Sequence, residues 1–425
     1  MTYTPVTALQ VSAWNRAVGV LLPPHHGPYA SFQFDPGWLR DGPELAPILM
    51  PRRDGQRVYA FREHPPHAFG GLPPMLADSL PDAFGNALIN AYLANQGTPA
   101  SSVGSVDRLA YLGSRGMGAL EFAPDLRPFG APPTPLVLAD LVAAARAALA
   151  GTMSASGTAS SIQQLLAVGT SAGGAQAKAT VDFNPETGEM LPHSGQTPSA
   201  FEPWLVKFDG VAASNASAGT GRVEYAYSLM AAAAGLTMAQ TRLIEDGERA
   251  HFMTRRFDRT DDGARLHLQS LAALLGLDMG LAGVHSAAQY FLAIDSLGLG
   301  ESARQQAFRR IAFNVLAANR DDHPKNFAFL MNAAGEWSLA PAYDVTFACD
   351  NTKPWLTRHH LGVEGKFAGI ERSDLLALAD RCSVPDAAPT LAAVEAAVAA
   401  WPEFAAQAGV PSAQVRAITQ SLPTT

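Results

Sequence analysis

The residue types that could do chemistry are densest between positions 313 and 347, in the segment FNVLAANRDDHPKNFAFLMNAAGEWSLAPAYDVTF. Asn326 follows Asp321 by five residues, and Arg320 directly precedes that aspartate. At this spacing an aspartate can accept the proton of an attacking hydroxyl, while the amide oxygen of an asparagine holds a Mg²⁺ ion against phosphate groups. The pattern therefore predicts a phosphoryl-transfer centre, in which Arg320, Asp321 and His323 are the catalytic candidates.

A second carboxylate, Asp344, follows Asn326 by eighteen residues. Between them, apolar residues alternate at Phe327, Phe329 and Met331, and the turn sequence AAGE precedes a second short apolar run. This pattern predicts a β-hairpin, which would bring Asp344 back towards Asn326. Because carboxylate and amide oxygens suit a hard cation such as Mg²⁺, these two residues are the predicted metal ligands.

The segment before the loop predicts a helix that faces the core, because its apolar residues recur at helical spacing. These residues are Phe308, Ile311, Ala312, Val315 and Leu316. A lone Asp-Asp-His sequence on a surface loop is most often only a helix cap or a turn. Its combination with Arg320, Asn326 and Asp344, between a periodic helix and a hairpin, favours a reactive site.

The bulk composition is that of a globular protein with room for two or three domains, at 425 residues with 48% apolar and 16% charged residues. With a net charge of −8, the chain lacks the excess of basic residues that is typical of a dedicated nucleic-acid binder. Two cysteines, Cys349 and Cys382, exclude a disulfide framework and fit a reducing compartment. With no signal-peptide pattern and no membrane-spanning apolar stretch, we expect a cytoplasmic protein without membrane contact.

The expected fold class is α+β, with a small α+β N-terminal domain before a two-lobed protein-kinase-like domain. Residues 1–123 read as the N-terminal domain of short strands and turns. Residues 124–160 are a proline-rich linker that contains one helix near 136–150. Residues 161–258 would form the mixed β small lobe, and residues 259–425 the helical large lobe.

A loop of small residues, VGTSAGGAQAKATVDFN at positions 168–184, opens the predicted small lobe. Small residues allow backbone N–H groups to approach a polyphosphate, and a lysine adds a point charge. Ser171 or Thr170 would lie near the transferable phosphate. A flexible turn is an equally good reading of this loop when it is taken alone. The candidate nucleotide contacts are Gly173, Gly174, Gln176 and Lys178.

Lys207 lies in PWLVKF, a short apolar strand, where an unpaired ammonium would be costly. ATP phosphates and the helical Glu224 would supply its partners, as the strand lysine and helix glutamate do in kinases. We place Glu224 in the first turn of its helix, where the helix dipole alone would also favour a glutamate. The strand HFMTRRFDR would then lead into the hinge, with Arg255 and Phe257 near the adenine.

The chain resembles the HipA-type serine/threonine kinase toxins over nearly its whole length. The matching pieces are LADSLPDAFGNALI, GSRGMGALEF, GGAQAKA, LVKF, RRFDR, HLQSLAALLG, DDHPKNFAFL with LAPAYDV, and HHLGVEGK. The resemblance implies Mg²⁺ and ATP as cofactors and a protein serine or threonine as acceptor. It also implies a HipB-like helix-turn-helix antitoxin, through which DNA is mainly contacted, and a translation-related target such as an aminoacyl-tRNA synthetase.

By motif position, the resemblance implies that Asp321 is the catalytic base and that Lys207 is the ATP lysine. It also implies Asn326 and Asp344 as metal ligands and Ser171 as the loop residue that some members autophosphorylate. Two departures from the family pattern are the extra Gly173 and the sequence HLQS in place of a more acidic helix opening. Two alternatives stay open: a lipid or small-metabolite kinase, and a non-catalytic ATP-binding corepressor.

Overall fold

The computed structural model describes residues 3–54, 57–126, 135–149, 176–193, 195–211 and 219–423. The chain divides into two compact units. The first contains Met1–Ala218, Ile244–Leu268 and Met331–Gly335, and the second contains Gly219–Leu243, Gln269–Leu330 and Glu336–Thr425. This grouping does not test the domain boundaries drawn from the sequence, which stay a prediction.

The N-terminal part of the first unit contains an antiparallel sheet in the order β3–β2–β1–β4. Its strands are β1 (Leu9–Ala13), β2 (Arg16–Leu22), β3 (Ser31–Phe34) and β4 (Glu121–Ala123). Alternate residues of β1 are buried, as expected for a sheet with one face on the core. The helices of this part are α1 (Pro36–Asp41), α2 (Pro66–Phe69), α3 (Pro74–Ala77), α4 (Ala83–Ala94) and α5 (Ser105–Leu112).

A five-stranded sheet follows, in the order β6–β5–β7–β9–β8. Helix α6 (Leu138–Leu149) precedes it and confirms the helix predicted in the linker. The strands are β5 (Lys178–Phe183), β6 (Met190–Pro192), β7 (Glu202–Lys207), β8 (Thr241–Asp246) and β9 (Arg249–Arg255). Strands β7 and β9 confirm the strands expected from PWLVKF and HFMTRRFDR.

One hydrophobic core joins helices α4 and α6 to strands β5, β7 and β9. Every residue of β5 is buried, and apolar residues alternate in it with the buried polar residues Lys178, Thr180 and Asp182. Asp82 caps α4 by accepting a hydrogen bond from the Gly85 backbone at 2.7 Å, and its other oxygen lies 3.7 Å from the Lys178 ammonium of β5. Burial raises the pKa of the Asp82 carboxyl to about 6, against the opposite influence of Lys178.

A buried aspartate holds the turn GSRGMG against the segment RRFDR that follows β9. Asp258 accepts hydrogen bonds of 2.7 Å from Gly118 N, Arg256 Nη2 and Arg259 Nη1. Arg256 also donates to Gly116 O at 3.0 Å. Burial alone would raise the pKa of Asp258, but the two guanidinium groups outweigh it and hold that pKa well below its usual range. Gly118 has a φ of +87°, a conformation that favours glycine.

The second unit is mainly helical. Its helices are α7 (Thr220–Ala233), α8 (Leu271–Leu275), α9 (Ala288–Ser296), α10 (Gly300–Leu316), α11 (Arg372–Arg381), α12 (Ala387–Ala399), α13 (Trp401–Gln407) and α14 (Ser412–Ser421). Strands β12 (Ala328–Met331) and β13 (Trp337–Leu339) form a three-stranded sheet with β10 (His267–Ser270), in the order β10–β12–β13. Strands β11 (His285–Ser286) and β14 (Leu361–Gly362) pair in parallel.

Helix α10 confirms the helix predicted before the reactive loop. Its residues Phe308, Ile311, Ala312, Val315 and Leu316 are all buried. At its end, the ring of Phe313 lies 6.3 Å from that of Tyr227, whose hydroxyl donates to Ala317 O at 2.8 Å. Tyr227 belongs to α7, so α7 and α10 pack together and fix where α10 ends.

Two sequence predictions about local structure are wrong. Glu224 lies in the second turn of α7, because the helix begins at Thr220 after Gly219, which caps it without a side chain. The sequence HLQS forms strand β10 rather than a helix opening, and the helix starts only at Leu271. There Ser270 caps it by accepting a hydrogen bond from Ala273 N at 3.1 Å.

Within the described part of the chain, no helix is both long enough and apolar enough to cross a membrane.

We expect Asp258→Asn to destabilise the protein by about 3 kcal/mol or more, because a buried partner lost from an ion pair leaves an uncompensated charge. The thermal and urea unfolding of the variant measure this loss. Asp262→Asn, in an exposed turn four residues later, is the matched control and should unfold like the parent. Equal stability of the two variants would contradict a stabilising role for the buried aspartate.

Candidate active site

The reactive loop begins at a sharp turn directly after α10. Ala318 adopts a left-handed conformation with a φ of 52°. The turn is held by Asn319, whose backbone N–H and side-chain amide donate to the carbonyl and side chain of Asn314 at 2.9 and 3.0 Å. The same amide donates to Asp344 O at 3.4 Å. One buried asparagine therefore links the start of the loop to the segment of the second carboxylate.

Asn326 ends a short 3₁₀ helix, Pro324–Asn326, and is buried. Its side-chain Nδ2 donates to the Asp321 carbonyl at 2.6 Å, and its backbone N–H donates to His323 O at 2.8 Å. Since the nitrogen of the amide is engaged inside the loop, the orientation of the amide is fixed, and its Oδ1 is the end suited to a cation.

Asp344 follows the hairpin β12–β13 and adopts a left-handed conformation with a φ of 50°. The Ala342 backbone just before it pairs with the chain after α7, donating to Thr237 O at 2.7 Å. The neighbouring Tyr343 hydroxyl donates to Lys325 O at 2.6 Å. The hairpin therefore returns Asp344 to the loop that carries Asn326, as the sequence predicted.

The two adjacent aspartates of the loop differ in their surroundings. Asp322 is buried, and its carboxylate accepts hydrogen bonds from His359 Nδ1 at 2.9 Å and from the His360 backbone at 2.7 Å. Asp321 is only half-buried. Asp322 therefore fastens the loop to the segment around β14. Sequence reasoning missed this role, although the pair HH in HHLGVEGK was a usable signal.

His323 is influenced electrostatically by the two carboxylates that the sequence singled out, Asp321 and Asp344. Burial lowers the pKa of its imidazole below the usual value, against the influence of Asp321 and Asp344, which both raise it. Its ring lies edge-on to that of His360, with 5.9 Å between centroids. His323 Nδ1 is buried and has no hydrogen-bond partner among the described residues.

Arg320 fastens the loop to the following segment. Its backbone N–H donates to Ala348 O at 2.9 Å, and its Nη1 donates to Thr357 O at 2.9 Å. These contacts position the loop, and a direct part for Arg320 in catalysis stays a prediction.

The donors around the site fit Mg²⁺. Asn326 and Asp344 offer oxygen atoms, which hard cations prefer. Among the described residues, no group of three or more His, Cys, Asp and Glu side chains could hold a metal ion by itself. In nucleotide sites, Mg²⁺ is commonly held by one or two protein groups together with phosphates and water.

Several nucleotide candidates of the first unit lie at the end of the five-stranded sheet where β5 begins and β7 ends. Lys178 and Lys207 stand opposite each other in the pairing of β5 with β7, and both are buried. The Lys207 ammonium lies 5.8 Å from the centroid of the Phe252 ring. Gln176 Nε2 donates to Phe208 O at 3.2 Å. Lys178 lies by Asp82, so its contact with phosphate stays a prediction.

The remaining candidates are placed as follows. Arg255 lies at the end of β9, and its Nη2 is 2.9 Å from the Asp261 carboxylate. Phe257 lies in the turn after β9, and Glu224 is buried in α7 of the second unit. Their nucleotide contacts stay predictions. The loop candidates Thr170, Ser171, Gly173 and Gly174 lie outside the described residues.

The fold and the loop define an α+β protein with a small N-terminal domain followed by a kinase-like domain, and this confirms the expected fold class. The HipA N-terminal domain model matches residues 9–123, and the HipA-like C-terminal domain model matches residues 170–420. The chain belongs to the HipA family.

The chain is similar in structure to the HipA of a complex described as the Shewanella oneidensis MR-1 toxin–antitoxin system HipA, HipB and its operator DNA. This likeness has a TM-score of 0.66 and 15% identity, and it covers 97% of this chain and 94% of that one. A weaker likeness, with a TM-score of 0.33 and 16% identity, is to the Helicobacter pylori proinflammatory kinase CtkA. It covers 57% of this chain and 98% of that one. No curated protein matches the sequence.

We expect Asp344→Ala to weaken Mg²⁺-dependent binding of ATP by at least about 10-fold. Changing even a residue that only orients a metal ligand typically lowers metal affinity by about that factor. Calorimetric titration with ATP at several Mg²⁺ concentrations measures the effect. Glu336→Ala, in the exposed turn of the same hairpin, is the control. Superimposable titrations for Asp344→Ala and the parent would make Asp344 a structural residue only.

Proposed function

We propose that this chain is a Mg²⁺- and ATP-dependent serine/threonine protein kinase that acts as the toxin of a toxin–antitoxin pair. One observation carries the proposal. Within one compact unit, Asp321 and Asn326 share a loop through the hydrogen bond between the Asn326 amide and the Asp321 carbonyl, and the Asn319 amide links the loop to Asp344. Membership of the HipA family supports the same chemistry.

In this mechanism, Asp321 orients the acceptor hydroxyl and takes its proton. The hydroxyl oxygen bonds to the γ-phosphorus while the bond from that phosphorus to the β,γ-bridging oxygen breaks, and ADP leaves. Asn326 and Asp344 would hold Mg²⁺, which would supply positive charge against the phosphates. Asp321 suits its role better than Asp322 because its carboxylate is half-buried rather than enclosed by His359 and the His360 backbone.

The nucleotide would also contact the small lobe. Lys207 would supply the charge for the α- and β-phosphates, with Glu224 as its proposed helical partner, and Arg255 and Phe257 would contact the adenine. By the sequence pattern, the small-residue loop would cover the phosphates, and Ser171 is the proposed site of self-phosphorylation. A phosphoserine there would bring roughly −1.5 to −2 charges to a site built for ATP, so it would oppose nucleotide binding.

We expect Asp321→Asn to lower phosphoryl transfer by about 10²- to 10⁴-fold, the range for a lost general base, while ATP binding and thermal stability stay near those of the parent. Transfer is measured with radiolabelled ATP on the protein itself and on added bacterial lysate proteins, with lipids and small metabolites as separate acceptors. Mass spectrometry of the same reactions locates any phosphate on residues 170–171.

The exposed Asp380 provides the matched control, and Asp380→Asn should transfer phosphate like the parent. Undiminished transfer by Asp321→Asn would remove Asp321 from the mechanism. Transfer to lipids or metabolites alone would show that the acceptor is not a protein. ATP binding by the parent without any transfer would favour a non-catalytic corepressor.

The proposed partner is a HipB-like helix-turn-helix antitoxin. The structurally similar HipA was solved together with HipB and operator DNA. The net charge of −8 on this chain does not favour strong DNA binding by the chain alone, so the antitoxin would supply most of the DNA contact. The proposed substrate is a translation-related protein, such as an aminoacyl-tRNA synthetase, whose phosphorylation would arrest growth.

We expect the product of a neighbouring helix-turn-helix reading frame to co-purify with this chain and to relieve its growth arrest on co-expression. Gel-shift titrations should show operator DNA bound by the antitoxin and by the complex, but only weakly by this chain. If this chain alone bound the operator as tightly as the complex does, the proposal that the antitoxin supplies most of the DNA contact would be wrong.

A further inference from the structure

A buried arginine of α10 contacts both segments that carry the proposed metal ligands. Arg310 is only 6% exposed. Its Nη2 donates to the carbonyl of Asn326 at 3.1 Å and also to the carbonyl of Tyr343, the residue before Asp344. A single guanidinium nitrogen therefore joins the two backbone segments from which the metal-binding side chains arise.

The guanidinium group is held in place by aromatic rings of the same two segments. Its Cζ lies 5.4 Å from the ring centroid of Phe327 and 5.7 Å from that of Tyr343. Phe327 directly follows Asn326, so each segment supplies one carbonyl and one ring. A planar guanidinium can satisfy such an arrangement, whereas the compact ammonium of a lysine cannot stack on rings in the same way.

Two further contacts between the segments also end on backbone oxygens. The Tyr343 hydroxyl bonds to the Lys325 carbonyl, and the Asn319 amide bonds to the Asp344 carbonyl. Together with Arg310, these contacts use only backbone oxygens of residues 325, 326, 343 and 344. They also hold Asp344 in its left-handed conformation, which is uncommon for a residue other than glycine.

Burial of an arginine at this position has a cost. Desolvating a charged group costs several kcal/mol, and an apolar side chain of similar volume would fill a core more favourably. Arg310 lies in electrostatic contact with Asp344 and Asp322, but its hydrogen bonds go to carbonyls. Its placement therefore fits a geometric task better than a contribution to stability.

We propose that Arg310 is a positioning residue that sets the separation of Asn326 and Asp344 and thereby the affinity of the site for its divalent cation. This inference rests on the proposed function for the identity of the cation site. Arg310 is buried, so it is placed to act on the site indirectly. It acts through the two carbonyls, so its substitution should lower metal affinity while leaving metal-free nucleotide binding unchanged.

The experiment compares Arg310→Lys, Arg310→Met and the parent. We expect the Kd for Mn²⁺, measured by electron paramagnetic resonance with a non-hydrolysable ATP analogue, to rise about 10- to 100-fold in both variants, as for other residues that orient metal ligands. Binding of the analogue without metal should stay unchanged. In the transfer assay, a higher Mg²⁺ concentration should restore much of the lost rate.

Arg309→Met is the matched control, because Arg309 is the neighbouring residue of the same helix and its Nη1 donates to Ala234 O at 2.9 Å, outside the loop and Asp344 segments. It should bind Mn²⁺ like the parent. Tyr343→Phe removes only the hydroxyl bond to Lys325 and should give a smaller loss of Mn²⁺ affinity. It therefore tests the inference even if both Arg310 variants fail to fold.

Unchanged Mn²⁺ affinity in a folded Arg310→Lys protein would overturn the inference, as would unchanged affinity in Tyr343→Phe where the Arg310 variants do not fold. A rate loss that no Mg²⁺ concentration relieves would overturn it too. These outcomes differ from failure of the proposed function, in which the parent itself binds Mn²⁺ and the analogue but transfers no phosphate.

Discussion

The site depends on one constraint: a loop whose only regular element is a three-residue 3₁₀ helix must still satisfy its buried backbone polar groups. Here side chains supply the partners. The Asn326 amide binds the Asp321 carbonyl, the Tyr343 hydroxyl binds the Lys325 carbonyl, and the Arg320 guanidinium binds the Thr357 carbonyl. Because each bond joins the loop to itself or to a neighbouring segment, the same contacts that satisfy the backbone also fix where the reactive carboxylates lie.

Features with a local period could be predicted from the sequence. The apolar spacing of α10, the strand PWLVKF and the hairpin after Asn326 each contain their signal within a few residues, and the structure contains all three. The start of α7 was misplaced because Gly219 offers no capping side chain to mark it. The strand HLQS was missed because four residues without a turn signal are too few to show a period.

Long-range partners had no such signal. Asp322 and His359 are 37 residues apart, and Gly118 and Asp258 are 140 residues apart. Nothing within either segment indicates its partner, since the chemistry of a buried aspartate is the same wherever its donors come from. For this reason the sequence identified Asp321 by its local spacing from Asn326, while the structural role of Asp322 required the structure.

The contact between the GSRGMG turn and the RRFDR segment has a consequence for synthesis on the ribosome. Gly116 and Gly118 emerge 140 residues before Arg256 and Asp258, which at roughly 5–20 residues per second is an interval of about 7 to 28 s. During this time the N-terminal domain exists without the groups that hold its turn. A nascent chain therefore completes the contacts of this domain only after Asp258 has been made.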